Sequence, residues 1–465
     1  MSDLSTVQAD LLSKMKFRSM GLKLIVVCGL ALLMLIPALF VWLLVEDRTH
    51  RAVDVIAEIT DHVGGQQMFL GPTLAIPWVI PPTSRTDVTT HGIYLVSPAQ
   101  ASGTVNVATE ERHRSLFKVP VFRADAKLDA SFDLTGVPAN APPGAQLNWS
   151  GAEIVVGVSD ARGALADATL TTGGKTYTFV PAAIAQTISI GAEENSTLRL
   201  TLLGTKLEGL APNAKFSVSS VLRFSGAQRI AVLAYGKTTQ LSIHSDWPSP
   251  GFDGGFLPTT RNVSPHGFDA AWSVPFTARG VRAEGSADSI TGLNATALGV
   301  SFIEVADPYQ SVSRSLKYVP LFIGLIFLAY FIFEVTTGRR VHPAQYVLVG
   351  VAQIIFYLLL LSVAEHIGFD FAFLLAGVAT VGLLSANAGW IFASRALGLR
   401  ALATFSLLYV LIYLLLRLED NALLVGAIAS FIAVAAAMYF TRRIDWYSSM
   451  AAGETKSPAA LAPER

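Results

Sequence analysis

The chain has 465 residues, of which 52% are hydrophobic and only 15% charged, and Lys plus Arg equals Asp plus Glu at 34 each. An ordinary soluble domain carries about 25% charged residues, so this composition excludes a wholly soluble chain and predicts a membrane protein. The zero net charge argues against a nucleic-acid partner, which requires a basic surface. Cys28 is the single cysteine, so neither an internal disulfide framework nor a cysteine-clustered metal site is expected.

The first predicted element is a membrane span. Leu24 to Val45 contains 22 residues without a charge, which makes about 33 Å of helix, enough to cross a hydrocarbon core of about 30 Å. Pro37 lies inside this run and is expected to kink it. The run is longer than the apolar part of a signal peptide and is followed by Glu46-Asp47-Arg48 instead of small residues, so we predict an uncleaved anchor.

The middle of the chain, residues 46–315, is predicted to be a β-rich domain. It opens with a helical pattern from Val53 to Val63 that ends at Gly64-Gly65. Thr169 to Phe179 predicts a hairpin that turns at Gly173-Gly174. Apolar residues alternate as in half-buried strands in Leu198–Leu202, Lys215–Ser219 and Thr239–Ile243. These patterns indicate an antiparallel, sandwich-like domain of one or two lobes.

Apolar segments return after residue 316. Five further spans are predicted: Tyr318–Val335, Tyr346–Ala364, Phe371–Ala393, Ala401–Leu416 and Ala422–Phe440. The fold class is therefore an α-helical integral membrane protein of about six transmembrane helices with a large inserted β-rich domain, and the fifth span is the shortest. The predicted organisation is a tail (1–23), an anchor (24–45), the inserted domain (46–315), a five-helix bundle (316–441) and a second tail (442–465).

The basic residues predict the topology. They gather in the N-terminal tail, in two loops and in the C-terminal flank: Lys14, Lys16, Arg18, Lys23, Arg339, Arg340, Arg395, Arg400, Arg442 and Arg443. Cytoplasmic segments carry an excess of Lys and Arg, and six spans place these four regions on one side. Both termini are then cytoplasmic, and the β-rich domain lies in a bacterial periplasm. The expected partner of the predicted helices is the lipid bilayer.

Several motifs along the chain resemble those of the CreD family of inner-membrane proteins, which are linked to cell-envelope integrity. The similar segments in the β-rich domain are Gly65–Pro77, Leu116–Phe122, Val158–Gly163, Ser245–Pro258 and Gly267–Trp272. The similar segments in the membrane half are Arg314–Tyr318, His342–Tyr346, Ser362–Phe369, Leu418–Asp420 and Tyr439–Tyr447. One departure is Glu111-Arg112-His113-Arg114, where the family usually has Arg-Arg-Gly.

This resemblance implies a role in the cell envelope, with expression tied to a two-component regulatory system. It implies no known reaction and no cofactor. The residues themselves show no H-E-x-x-H and no G-x-S-x-G motif, so we assign no catalytic, cofactor-binding or metal-binding residue. In Ser159–Gly163, Asp160 is expected to cap a turn, Arg162 to pair locally and Gly163 to supply a positive φ.

Two groups of side chains are candidate sites. The topology places nine polar residues at one depth on the periplasmic membrane face: Asp307, Arg314, Lys317, Glu365, His366, Asp370, Arg417, Glu419 and Asp420. They form either an ion-pair collar that docks the domain or a polar site for a lipid head group, peptide or ion, and His366 beside Glu365 could sense pH. Five aromatic residues form either core packing or a periplasmic groove for an extended or glycan ligand: Trp247, Phe252, Phe256, Phe268 and Trp272.

Three functions remain open from the sequence. The first is a non-enzymatic protein whose periplasmic domain binds an envelope protein, lipid or glycan and supports envelope integrity or a stress response. The second is a lipid-handling or transport protein that works through the bundle, although no ionisable residue lies near the middle of a span. The third is a cell-wall-modifying enzyme with its site at Glu365-His366. The sequence leaves the oligomeric state open.

Overall fold

A computed structural model of the chain describes residues 20–82, 89–114, 117–184, 187–190, 198–287, 292–302, 308–339, 341–417 and 422–442. The chain separates into two compact units. The first, the membrane unit, lies within Met1–Arg51 and Ala306–Arg465, and the second, the β module, lies within Ala52–Val305.

The membrane unit is built from α-helices, the second of which continues past Arg51 into the range of the β module. In chain order they are α1 (Met20–Leu33), α2 (Leu35–His62), α3 (Pro308–Leu316), α4 (Val319–Thr337), α5 (Pro343–Ile367), α6 (Phe369–Ile391), α7 (Arg395–Arg417) and α8 (Ala422–Thr441). Each predicted span from Tyr318 onwards coincides with one helix, within a few residues at either end except for α7. The helical membrane protein with a β-rich region that the sequence predicted is confirmed.

The N-terminal helix differs from its prediction in length. A turn at Met34, three residues before Pro37, separates α1 from α2, as expected where a proline removes a backbone donor. The helix predicted to start at Val53 is instead the end of α2. The charged residues after Val45 remain helical because they form i,i+4 pairs, such as Asp47 with Arg51 at 2.9 Å.

Among the described residues, five helical stretches are long and apolar enough to cross a membrane: Gly21–His62, Val319–Thr337, Pro343–Ile367, Phe369–Ile391 and Arg395–Arg417. The sixth predicted span corresponds to α8, whose apolar part Leu424–Tyr439 is shorter. The prediction that the fifth span is the shortest was wrong, because α7 has 23 residues and α4 has 19. The helix α7 includes the polar segment that begins at Arg395, so the predicted loop there is wrong.

Strands fill the β module. They are β1 (Gln67–Ile80), β2 (Thr90–Val96), β3 (Gln100–Arg114), β4 (Phe117–Asp133), β5 (Gln146–Leu147), β6 (Glu153–Val158), β7 (Thr169–Thr172), β8 (Lys175–Thr178), β9 (Val180–Pro181), β10 (Thr187–Ile190), β11 (Leu198–Lys206), β12 (Lys215–Ala227), β13 (Arg229–Leu233), β14 (Thr238–Ser245), β15 (Pro250–Gly254), β16 (Thr260–Ser264), β17 (Gly267–Val274), β18 (Glu284–Ser286) and β19 (Ala297–Phe302). The hairpin predicted at Gly173-Gly174 joins β7 to β8, and both glycines have a positive φ.

These strands form two sheets. The eight-stranded sheet has the order β16-β17-β14-β3-β4-β12-β7-β8. The other has eleven strands along the path β10-β11-β6-β1-β13-β19-β15, with β2, β5, β9 and β18 attached beside it. Most pairs are antiparallel, as predicted, but β1 with β13 and β3 with β14 are parallel. Long stretches of chain separate these partners, so alternation within each strand carries no information about their direction.

One hydrophobic core joins the two sheets. Phe69 on β1 lies edge-to-face with Phe224 on β12, with ring centroids 5.5 Å apart. The burial pattern explains the difference between the sheets: β1 is buried almost continuously, whereas β4 alternates between buried and exposed residues. The eight-stranded sheet therefore buries one face and leaves the other open to solvent, as half-buried antiparallel sheets do.

Candidate functional site

The charged residues predicted to share one depth of the membrane unit are divided between separate groups. Glu365, near the end of α5, accepts a hydrogen bond of 3.0 Å from the Tyr309 hydroxyl on α3. Its Oε1 atom lies 3.9 Å from Nη1 of Arg48 on α2, and its side chain is only 8% exposed. The predicted cluster did not include Arg48 or Tyr309, because neither is near Glu365 in sequence. This group joins three helices through one carboxylate.

Asp370 forms a second group in the first turn of α6. It makes an ion pair with Arg417 at the end of α7 and accepts a hydrogen bond of 3.2 Å from the Tyr413 hydroxyl. Nε of Arg417 in turn donates to that hydroxyl over 3.3 Å. Both charged side chains are about half exposed, so the pair contributes at most about 1 kcal/mol to stability. Its geometry fixes the start of α6 against the end of α7.

The other described members of the predicted cluster are His366, Lys317 and Arg314. His366 donates from Nδ1 to the Ser362 carbonyl on its own helix, at 2.9 Å, and its ring is exposed. Lys317 is exposed and Arg314 is half-buried on α3. Three members lie outside the described residues: Asp307, Glu419 and Asp420. Sensing of pH by His366 stays a prediction.

A buried ion pair at the opposite end of α5 was not predicted. Glu334 on α4 is 2% exposed and pairs with Lys23 on α1. The same carboxylate accepts hydrogen bonds from the Tyr346 hydroxyl at 3.0 Å and from the backbone N–H of Val341 at 2.9 Å. Lys23 also donates to the Val341 carbonyl at 2.7 Å. This Lys23–Glu334 pair holds the first helix against the rest of the membrane unit.

The sequence contained a signal for this pair. Glu334 is an acidic residue inside an apolar segment, and Lys23 lies directly before the first span. A charge inside a membrane-spanning segment is costly unless an opposite charge or hydrogen-bond donors meet it. Each residue therefore required a partner, but 311 positions separate the two along the chain and nothing local identifies one as the partner of the other.

The five aromatic residues proposed as a groove lie in or against the core of the β module. Trp247, Phe268 and Trp272 are each at most 9% exposed. The indole N–H of Trp272 donates to the Phe256 carbonyl at 3.0 Å, and the Phe252 ring lies edge-to-face with Phe268 at 5.7 Å. These contacts agree with the core-packing interpretation. A ligand groove formed by these side chains stays a prediction.

The open face of the eight-stranded sheet carries a row of polar side chains that the sequence analysis did not single out. Strand registers place residues of β7, β12, β4, β3, β14 and β17 side by side across six strands. The row, in that order, is Thr171, Ser219, Asp129, Ser102, Gln240 and Ser273. Alternation marks each of these positions as facing away from the core, but the row itself exists only once the register is known.

A shallow groove of about 490 Å³ runs along this row from Thr171 to Gln240. Hydroxyl, amide and carboxylate groups line it, with Asp129 near its middle. Its volume lies within the range of sites for small ligands, and its polar lining suits a ligand with many hydrogen-bonding groups. We refer to it as the sheet groove.

The buried Tyr235 supports the sheet groove from beneath. Its hydroxyl lies 2.8 Å from the backbone carbonyls of both Ser102 and Asp129, to which it donates. Burial, with a smaller contribution from the charge of Asp129, raises the pKa of Tyr235 far above its usual value. Gly71 on β1 lies against the ring, where a Cβ atom would come within 2.5 Å of it. One tyrosine therefore connects the eleven-stranded sheet to two residues of the groove.

Comparison with known proteins decides the family. The family model described as Inner membrane protein CreD matches residues 19–447. Inner membrane protein CreD of Escherichia coli (strain K12) is 31% identical over 437 residues, covering 90% of this chain and 92% of that protein. The chain belongs to the CreD family. With its apolar helices, it is a multi-pass inner-membrane protein of the cell envelope.

Two motifs that carried the CreD resemblance meet in the β module. Gln67, the first residue of β1, is fully buried and donates from Nε2 to the carbonyls of Gly64 at 2.6 Å and Asp160 at 3.0 Å. Asp160 caps the turn through the N–H of Arg162 and pairs with its side chain, as predicted. The positive φ predicted for Gly163 was wrong.

Gly163 instead permits a close approach between backbones. A Cβ atom at this position would lie 2.4 Å from the Ser225 carbonyl and 2.6 Å from Nε2 of Gln67. The hydrogen bonds between Asp160 and Arg162 hold the pKa of the Asp160 carboxyl below its usual value. These contacts are structural: they fix the turn between β6 and β7 against β12.

Among the described residues, no three His, Cys, Asp or Glu side chains are grouped so as to hold a metal ion.

Proposed function

We propose that this CreD-family protein is a non-enzymatic anchor whose β module lies in the periplasm and binds a cell-wall glycan strand in the sheet groove. Such binding would connect the inner membrane to the wall and support envelope integrity under stress. Both termini and the Arg395–Arg400 segment lie in the cytoplasm in this proposal, following the distribution of Lys and Arg.

The sheet groove is the observation that carries this proposal. A glycan presents repeated hydroxyl and amide groups, and the groove offers side chains that both donate and accept hydrogen bonds, among them Ser102, Ser219 and Gln240. The groove lies on a regular sheet whose backbone is held by strand pairing, so the spacing of its side chains is set before a ligand arrives. Ordering in advance lowers the entropy cost of binding.

The groove chemistry favours binding over cleavage. Glycoside hydrolases ordinarily use two carboxyl groups, one as an acid and one as a base or nucleophile. Asp129 is the one ionisable side chain among the described residues that line the sheet groove. A single carboxylate can accept hydrogen bonds from sugar hydroxyls but cannot supply both roles.

A binding experiment with the full-length chain in lipid nanodiscs tests the function. The probes are purified bacterial cell-wall sacculi, for co-sedimentation, and soluble glycan fragments released from them, for titration. Ser102→Tyr places a bulky ring in the groove, and Asn106→Tyr makes the same change on the same face of β3, outside the groove lining. We expect Ser102→Tyr to weaken retention at least ten-fold and Asn106→Tyr to leave it within two-fold.

Equal retention of the two variants would refute the sheet groove as the binding site. No retention of the unmodified protein on sacculi would refute the proposed ligand. If new reducing ends appear in the glycan during incubation, the protein is an enzyme and the non-enzymatic assignment fails.

The topology is tested separately. With Cys28 replaced by alanine, single cysteines are introduced at Asn140 in the β module and at Arg339 after α4, both of which are exposed. A membrane-impermeant maleimide added to spheroplasts should label Asn140→Cys alone. Labelling of both sites, or of Arg339→Cys alone, contradicts the proposed placement.

A further inference from the structure

The membrane unit has an apolar groove along one side of the α6/α7 pair. It consists of two adjoining hollows of about 590 and 660 Å³, which share Gly382 and Leu402 in their linings. We refer to the two together as the helix groove. Large apolar side chains on its rim face outward, and Phe371 and Val378 are 69% and 65% exposed. In a bilayer this surface meets lipid chains or another apolar partner.

The length of the helix groove matches the membrane. It extends along α6 from Asp370 to Trp390, a rise of about 30 Å at ~1.5 Å per residue. The hydrocarbon core of a bilayer is also about 30 Å thick. The two ends of the groove therefore lie near the head-group levels, where Trp390, 74% exposed, is a residue type that membrane interfaces favour.

The two ends carry different charges. At one end, Arg417 is paired with Asp370, so the cation there is already neutralised. At the other end, Arg395 lines the groove and is exposed, with no ion pair or hydrogen bond of its side chain among the described residues. Arg395 is also the first residue of α7, so its guanidinium lies beside the positive end of a 23-residue helix. This end of the groove is complementary to an anion.

The glycines of the groove have different surroundings. Gly389 and Gly398 are used within the pair, because a Cβ atom on Gly389 would lie 3.6 Å from the Cα of Gly398. They bring α6 and α7 together. A Cβ atom on Gly382, in contrast, would meet nothing within 4 Å. The middle of the groove therefore offers open space suited to a flexible chain.

We propose that the helix groove holds one anionic glycerophospholipid, with its phosphate at Arg395 and one acyl chain lying over Gly382. The apolar groove would hold the acyl chain of the lipid, and the unpaired guanidinium of Arg395 would bind the phosphate of its head group. This inference does not depend on glycan binding, because it concerns the membrane unit alone.

Two matched pairs of variants test the site in the full-length chain. Gly382→Leu fills the groove without a clash, and Gly324→Leu on α4 makes the same change at another glycine that has nothing within 4 Å. Arg395→Gln removes the proposed phosphate partner, and Arg400→Gln removes an exposed arginine of the same helix outside the groove lining. The purified variants are incubated with equal amounts of phosphatidylglycerol and phosphatidylcholine, and the retained lipid is counted by native mass spectrometry.

We expect one phosphatidylglycerol per chain to be retained by the unmodified protein and by Gly324→Leu, and to be lost in Gly382→Leu. Arg395→Gln should lower the preference for phosphatidylglycerol about five-fold, the effect of one basic residue at a membrane surface, and Arg400→Gln less than two-fold. Millimolar inorganic phosphate should not displace the lipid; if it does, the site binds the anion alone. Displacement of the lipid by phosphate would overturn the proposal. Equal effects of the two variants within either pair, or a dimer of the chain that Gly382→Leu abolishes, would also overturn it.

Discussion

Removal of a single oxygen atom tests the link between the two sheets. Tyr235→Phe keeps the buried ring against Gly71 and deletes the hydroxyl that lies 2.8 Å from the carbonyls of Ser102 and Asp129. The ring volume hardly changes, so a cavity contributes little. The effect of the substitution is therefore the loss of hydrogen bonding at a buried position.

The size of the effect follows from that burial, since Tyr235 is 1% exposed. A net hydrogen bond contributes about 0.5–1.5 kcal/mol, and a buried acceptor left without its donor costs about 1–3 kcal/mol. We expect the free energy of unfolding to fall by about 1–3 kcal/mol. In a domain of this size each kcal/mol lowers the midpoint by roughly 2–4 °C.

The assay is thermal unfolding of the full-length chain in detergent, followed by the β-sheet signal in circular dichroism. Tyr177→Phe is the control, because Tyr177 is half-buried in the hairpin strand β8 and its hydroxyl makes no hydrogen bond with a described residue. It should change the midpoint by less than 1 °C. If Tyr235→Phe also leaves the midpoint unchanged, the tyrosine does not hold the groove floor and the reasoning fails.

Three further predictions concern other contacts. Lys23→Met and Glu334→Gln should each lower the free energy of unfolding of the membrane unit by about 3–5 kcal/mol. In a thermal double-mutant cycle, the double variant should lose less stability than the sum of the two single losses. Strict additivity would show that the two charges do not interact. Burial raises the pKa of Tyr94 to about 12. The neutral phenol therefore stabilises the fold fully below pH 10, and this contribution is lost as the pH rises from 10 to 12, with a slope of at most about 1.4 kcal/mol per pH unit. An unfolding midpoint that stays flat between pH 10 and 12, or that falls equally in Tyr94→Phe, contradicts this prediction. Gly163→Ala should destabilise the β module by about 1–3 kcal/mol, because its Cβ would lie 2.4 Å from the Ser225 carbonyl. An unchanged midpoint of unfolding in denaturant would show that the backbone around Gly163 moves to accept the methyl group, which contradicts the prediction.

The helices of the membrane unit could be predicted because their signal is local. A run of about twenty apolar residues without a charge is both necessary and recognisable for a span, and α4, α5 and α6 begin and end within a few residues of their predicted bounds. The predicted helix bounds are wrong where polar residues were interpreted as the ends of helices. The segments after Val45 and before Ala401 stay helical, since charged side chains at a helix end can remain in water without ending it.

The candidate sites were harder to predict because each depends on pairing between distant segments. The sheet groove needs the registers of six strands, two of them joined in parallel, and no single strand reveals its neighbours. The polar collar was expected from depth alone, and depth is a weak guide: Glu365 and Asp370 are five residues apart yet bond to different partners. They lie on different helices, Glu365 near the end of α5 and Asp370 in the first turn of α6, and only the packed helices show which partner each one meets.

The uneven pairing of charges around the membrane unit distinguishes structural from ligand-binding residues. Lys23 is neutralised by Glu334, and Arg417 by Asp370, so removal of either cation leaves an unpaired carboxylate and should lower stability. Arg395 has no such partner among the described residues, so its loss should leave stability unchanged and alter lipid preference. A thermal midpoint measured beside the retained lipid therefore separates the two roles: a fall in stability of Arg395→Gln comparable to that of Lys23→Met would mark Arg395 as part of the fold and remove the reason for placing a phosphate there.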